Sequence, residues 1–262
     1  MTLVSEAEVY EQVFNSNAIE NSTLTLEETE KIMLQLELDR FISEREIFEA
    51  KNLARVVTYI EKRAKEQELN LEVILLLHKM LITNIRDDIA GRFREGNEFV
   101  RVGKYIAPAP AEVVLLLTTM LAEYNGSVGE NIVKRIARLH LTFEHIHPFI
   151  DGNGRIGRAI NNYLLIREGY VPINIKFTDR LKYYEAFRNF DLKEDTLVMD
   201  EIVALALANS YHKRLAYLKQ KKIITLREYA RVNNISHSNL INKAHRQTIE
   251  SFLEHGVWKI GV

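Results

Sequence analysis

Cysteine is absent from the 262 residues, tryptophan occurs once and proline four times. Without cysteine there are no disulfides and no thiolate metal sites, a composition compatible with a reducing compartment. The four prolines fall between residues 108 and 172, so the long helical patterns elsewhere run uninterrupted. Neither sign of charge dominates: 35 basic residues face 36 acidic ones. That balance exerts no global pull toward nucleic acid or anionic lipid. The longest apolar stretch, Val113 to Leu117 with its neighbours, is far too short to span a bilayer. The N-terminal run Met1-Thr2-Leu3-Val4-Ser5-Glu6 lacks the apolar centre of a signal peptide. The expectation is a cytoplasmic protein without repeats or low-complexity linkers.

An apolar content of 47% is enough for a sizeable core, and the length permits one large domain and a small one. Apolar residues recur at three- and four-residue spacing, as in Leu71, Ile74, Leu75 and His78. This predicts helices near 6–20, 26–41, 44–66, 71–83, 110–124, 129–146, 154–168, 179–190 and 197–219. Only residues 97–108, with Gly103 as a turn candidate and prolines to stop the pattern, and the C-terminal end read as strand.

The chemistry concentrates in one run, His147-Pro148-Phe149-Ile150-Asp151-Gly152-Asn153-Gly154-Arg155-Ile156-Gly157-Arg158. A helical pattern leads into it, Pro148 ends that helix, and a second helix starts after the glycines. Free N–H groups at a helix N-terminus bind anions, and glycine lets a phosphate approach the backbone. Arg155 and Arg158, three apart, project from one side of the first turn and suit a polyphosphate. Asp151 sits where a hard cation such as Mg²⁺ could bridge it to phosphate oxygens. His147 titrates near neutrality, as a general base should. His145 and His147 are two apart, but no third ligand lies nearby, so His145 reads as structural rather than as half of a metal pair.

The run resembles the signature H-P-F-x-D-G-N-G-R-x-x-R of the Fic domain family and matches it at every fixed position. The resemblance implies that His147 deprotonates a Ser, Thr or Tyr hydroxyl of a target protein, which then attacks the α-phosphate of ATP. It assigns Asp151 to Mg²⁺, and Gly152, Asn153 and Gly154 to the anion nest. Arg155 and Arg158 go to the β- and γ-phosphates, and Phe149 to the core. Ile156 and Gly157 fall within the same nucleotide-binding run. The retained G-N-G-R favours nucleotidyl over phosphoryl transfer. Residues 97–108 resemble the family's flap, a β-hairpin that clamps an extended target segment. Val102, Gly103, Lys104 and Tyr105 would then line the cleft. Tyr183 and Tyr184 lie on a segment resembling the helix over the adenine, where at most one can stack on the base. Relatives often carry an asparagine where this chain has Asp191.

Ser16-Asn17-Ala18-Ile19-Glu20-Asn21 resembles the family's inhibitory motif [S/T]-x-x-x-E-[G/N]. On a helix Ser16 and Glu20 share a face one turn apart. The resemblance implies that Glu20 forms a bidentate pair with Arg158 and displaces the γ-phosphate. The expected organisation is an N-terminal region over 1–40, a Fic catalytic core over 41–218 and a small module over 219–262. In the module, Thr225 and Glu228 form a capping-box pair. Asn233-Asn234-Ile235-Ser236 reads as the turn of a helix-turn-helix. Val257 to Ile260 reads as a closing strand. The fold class expected is all-α, a helical bundle with a β-hairpin flap, plus a winged-helix or helix-turn-helix-like module.

The leading expectation is an ATP-dependent, Mg²⁺-using protein adenylyltransferase, autoinhibited by Glu20. It would act on a target protein along the flap, modify itself as well, and remove AMP if Glu20 also positions a water. A homodimer is a further expected partner state. Two alternatives stand beside this. One is a DNA-binding regulator using Arg231, Lys243, His245 and Arg246, with a nucleotide-sensing Fic domain. The other is a transferase of another nucleotide or group.

Overall fold

The computed structural model describes residues 3–103 and 105–262. Helices carry the core, and most start at a side-chain cap. Helix α1 spans Leu3–Ile19 and α2 Leu26–Met33; α3 spans Glu44–Arg63 and α4 Leu71–Ile82. Thr25 caps α2 in a reciprocal pair with Glu28, Ser43 caps α3 and Asn70 caps α4. A short hairpin follows, β1 (Arg101–Val102) and β2 (Tyr105–Ile106), paired antiparallel with Gly103 in the left-handed region at its turn. Then come α5 (Val113–Gly126), α6 (Ile132–Ile146), α7 (Asn153–Arg167), α8 (Arg180–Lys193) and α9 (Leu197–Leu218).

Several boundaries differ from the sequence expectation, three of them with a clear local cause. Helix α2 stops at Met33 rather than 41, because Gln35 turns left-handed and Leu34, Leu36 and Phe41 stay exposed. Phe41, for instance, is 91% exposed. Helix α5 begins at Val113, after a single 3₁₀ turn over Pro110–Glu112. Helix α6 begins at Ile132, because Gly129 breaks the pattern at φ +101° and Asn131 supplies the cap.

Val9, Val13 and Ile19 of α1 and Ile32 of α2 belong to the same apolar core as Leu77 of α4, Phe143 of α6 and Ile160 of α7. The N-terminal region is therefore packed into the core, not appended to it. A second, small core lies in the C-terminal module. There β3 (Ile223–Thr225), α10 (Leu226–Val232), α11 (His237–His245), β4 (Ser251–Glu254) and β5 (Val257–Gly261) enclose Leu226, Ala230, Leu240 and Ala244. The strands pair antiparallel in the order β3-β5-β4, two strands beyond the one expected. The Thr225–Glu228 box is half-formed. Thr225 Oγ accepts the Glu228 N–H, but the Thr225 backbone lies in the ladder opposite Lys259. Among the described residues no helix is long and apolar enough to cross a membrane.

Candidate active site

The loop between α6 and α7 is held from several sides. His147 caps α6 with φ 49° and ψ 61°, a left-handed conformation that costs a non-glycine residue ~1–2 kcal/mol. Arg94, 2% exposed, fixes the turn. Its guanidinium donates to the carbonyls of His147 (2.7 Å), Pro108 (2.7 Å), Ile146 (3.2 Å) and Glu98 (3.2 Å). Phe149 is buried and stacks on His78 at 3.7 Å. The Gly91 N–H donates to His78 Nδ1, so the tautomer assigned from that contact donates its Nε2–H to the Asp151 carbonyl, 3.1 Å away. The Asn153 side chain closes the loop on itself, accepting the Phe149 N–H and donating to the Phe149 carbonyl, both at 2.9 Å. Gly152 takes φ +85°, and a Cβ there would press on Leu81. These bonds leave the first N–H groups of α7 aimed into the cleft.

His147 Nδ1 lies 3.2 Å from the Glu144 carbonyl. The tautomer assigned from this contact carries its proton on Nδ1 and presents a bare lone pair on Nε2. Burial pulls the His147 pKa down to about 4, against the opposing Glu144 carbonyl. The ring is therefore neutral at physiological pH, as a base must be. The Glu144 carboxyl lies 3.8 Å from Nδ1 and is 10% exposed. Burial, and then the charge of Glu20, pushes its pKa up to about 8.

Asp151 faces Arg45 (3.0 Å) and Arg155 (3.1 Å). Arg155, buried, also meets Glu49 at 3.1 Å. Among the described residues no group of three or more His, Cys, Asp or Glu is arranged to hold a metal. A lone carboxylate fits Mg²⁺ only as a cation whose other ligands are phosphate and water. Asp151 is such a lone carboxylate, paired here with Arg45 and Arg155.

Arg158 is fully engaged. Nε donates to Ser16 Oγ (2.9 Å), and Nη2 donates to the Ser16 carbonyl (2.9 Å) and to Glu20 Oε1 (2.8 Å). Nη1 donates to Tyr183 Oη (3.1 Å). The contact with Glu20 is thus a single bond, not the expected bidentate pair, because Ser16 takes the rest of that edge. Burial opposes the Arg158 charge, yet Tyr183 and Glu20 hold its pKa above the ordinary value. Gly154 makes this possible, since a Cβ there would run into the Glu20 carboxylate. Tyr183 is 1% exposed, bonded to Arg158 and to His140, so of the two tyrosines it is the one turned into the core. Tyr184 is half-buried and donates to the Ile19 carbonyl, beside the same helix end. Ile156 is buried in the core, leaving only its backbone to the cleft.

In the hairpin, Val102 and Gly103 are exposed; Lys104 lies outside the described residues. Tyr105 Oη lies 2.7 Å from His145 Nε2, and His145 Nδ1 lies 3.0 Å from Asp191. The hairpin is thereby tied to α6 and α8 through a chain that spacing alone did not reveal. Asp191 orients His145 here.

The opposite end of α1 is anchored by the C-terminal half of the chain. Glu11, buried, accepts the His255 N–H at 2.7 Å from the β4–β5 turn. It also lies 3.6 Å from Lys213 and 3.8 Å from Lys176, and Lys213 meets Glu254 of β4 at 2.9 Å. Glu8 pairs with Arg214.

Residues 68–165 match the Fic/DOC family model, so the chain contains a Fic domain. It is 32% identical over 180 residues to a protein named Protein adenylyltransferase Fic of Drosophila persimilis, covering 67% of this chain and 35% of that one. The namesake of Drosophila melanogaster is equally similar, with 36% of its length covered. The chain thus spans about a third of the length of these curated relatives. Among solved structures, C. elegans Fic-1 superposes with a TM-score of 0.72 at 24% identity, over 80% of this chain and 63% of that one. A Fic family protein from Desulfovibrio desulfuricans G20 superposes at 0.69 with 21% identity, over 98% of this chain and 87% of that one. These likenesses show the Fic fold.

Proposed function

We propose that the chain is a protein adenylyltransferase that moves AMP from ATP to a hydroxyl side chain of a target protein, and that Glu20 restrains it. The observation that carries this reading is the Arg158 guanidinium, taken up by Ser16 and Glu20 where a nucleotide's terminal phosphate would dock. The name shared by the curated relatives supports it.

In the proposed reaction His147 Nε2 accepts the proton of the target hydroxyl. The hydroxyl oxygen bonds to the α-phosphorus as the bond to the β-phosphate oxygen breaks, and pyrophosphate leaves with the electron pair. Free N–H groups of Gly152, Asn153 and Gly154 and the Arg155 guanidinium would hold the phosphates. Asp151 would hold Mg²⁺, which neutralises charge on the leaving pyrophosphate when bound. The exposed hairpin edge suits an extended target segment added as a strand. A cytoplasmic location, a homodimer, self-modification and Glu20-assisted removal of AMP belong to the same proposal.

The test is ³²P-AMP incorporation by Glu20→Gly against the parent, with ATP, GTP, CTP and UTP in parallel and intact mass as readout. Higher incorporation from ATP supports the reading, and equal incorporation sinks it. Preference for UTP would shift the assignment to another nucleotidyl group. Retarded migration of genomic DNA without any AMP transfer would favour the regulator instead.

A further inference from the structure

Glu144 has a place that the reaction above does not use. It sits on the last turn of α6, three residues before His147, with its side chain turned inward. Among the described residues Oε1 is buried without a hydrogen-bond partner. Oε2 lies 3.8 Å from His147 Nδ1. The space it occupies is made by Gly157, where a Cβ would come within 2.6 Å of Oε1. A buried carboxyl without a bonded partner is costly, and such groups gather at functional sites.

We propose that Glu144 is the positioning residue for His147: its carbonyl keeps the proton on Nδ1, and its ionised carboxylate stabilises the imidazolium formed as the target hydroxyl is deprotonated. The proposal rests on the adenylyltransferase reading. It gives Glu20 a second effect. While Glu20 sits on Arg158, its negative charge adds to burial in keeping Glu144 protonated. A neutral Glu144 offers His147 no charge, so Glu20 occupies the phosphate-binding arginine and weakens the base together. Removing Glu20 leaves the Arg158 charge, which favours the ionised form of Glu144.

The charged and titratable groups around the pair come from every side. Glu20 comes from α1, Arg158 from α7 and Tyr183 from α8. Arg94 precedes the hairpin, Asp151 lies in the loop, and His140 is one turn back on α6. Of these only Glu144 has a carboxyl within 4 Å of Nδ1 among the described residues.

The experiment compares Glu20→Gly with Glu20→Gly/Glu144→Gln in the full chain. The Gln side chain keeps the shape, and the backbone carbonyl is unchanged. The pH profile of kcat/KM for ATP in self-modification should rise by roughly tenfold between about pH 6 and about pH 9 in the single variant and stay flat in the double one. A second readout needs no turnover. The ¹⁵N shifts of the His147 ring should show an inflection as Glu144 ionises, and the Gln variant should lose it. The same rise and inflection in both proteins would overturn the proposal. If Glu20→Gly transfers no AMP at any pH, the adenylyltransferase reading fails, and the ring titration alone decides whether Glu144 acts on His147.

Discussion

The loop over 147–158 and the region over 223–261 both join two helices and carry basic residues, yet they hold those residues in opposite ways. In the loop, Arg155 and Arg158 are buried and paired with carboxylates, with Arg155 Nε left without a hydrogen-bond partner among the described residues. In the module, Arg231, Lys243, His245 and Arg246 are exposed. Burying a guanidinium is costly unless its charge is paired, so a buried, paired arginine at a helix N-terminus marks a built site. An exposed one marks only a solvated face. The functional reading therefore rests on the loop, and the module enters through its grip on α1.

Acid should separate the two regions most strongly. Burial pulls His78 and His147 down to about 4 and His140 down to about 3. The unfolded chain takes up protons below about pH 6.5 while the folded core refuses them until about pH 4, so stability falls as pH falls through that window. The loss summed over three histidines is on the order of 10 kcal/mol. The chain's one tryptophan, Trp258, packs on the module core, whereas His237 and His245 are exposed there. The far-UV melting midpoint should therefore drop further than the Trp258 fluorescence midpoint, and parallel shifts would erase the contrast.

Next in size is the base. In the Glu20→Gly background, His147→Ala should cut AMP transfer by about 10³-fold, read as radiolabel incorporated. Activity within a factor of two of the background would remove His147 from the mechanism. Glu20→Gly alone should raise transfer by about tenfold, the value of one charge-assisted bond. Smaller still is the module's contribution. Glu11→Gln removes the carboxylate that Lys213, Lys176 and the β4–β5 turn share. It should cost ~1–3 kcal/mol of stability and raise basal transfer a few-fold by loosening α1. Unchanged transfer in a visibly destabilised Glu11→Gln protein would uncouple the module from the inhibitor. At the low end, Lys243→Ala and Arg246→Ala should shift stability by no more than ~0.5 kcal/mol and leave transfer unchanged, as expected of exposed groups.

Contiguous features were legible in the chain. The loop residues lie within one short run, so their types and spacing could be read together. Ser16 and Glu20 were readable because one helical turn separates them. Other participants were hidden for identifiable reasons. Arg94 bonds to backbone carbonyls, which leave no trace in residue identities. Tyr105, His145 and Asp191 are far apart in sequence and meet only through the hairpin, α6 and α8. Glu144 looks like any polar residue on a helix. Tyr183 and Tyr184 are placed near the nucleotide by resemblance alone, and which ring is buried cannot be read from the sequence; it is Tyr183. The overrun of α2 arises because apolar spacing continues past Met33, while the chain turns left-handed at Gln35.

By itself the sequence determined the helical architecture, the Fic signature and the Ser16-to-Asn21 run that resembles an inhibitory motif. Each is encoded by neighbours along the chain, through periodicity, caps and a short run of chemistry. Tertiary structure decided the rest: that Arg158 shares one bond with Glu20 and two with Ser16, that Glu144 lies buried beside the base, and that the β4–β5 turn holds α1. Those outcomes depend on which charged groups are buried together, and burial is a property of the packed molecule.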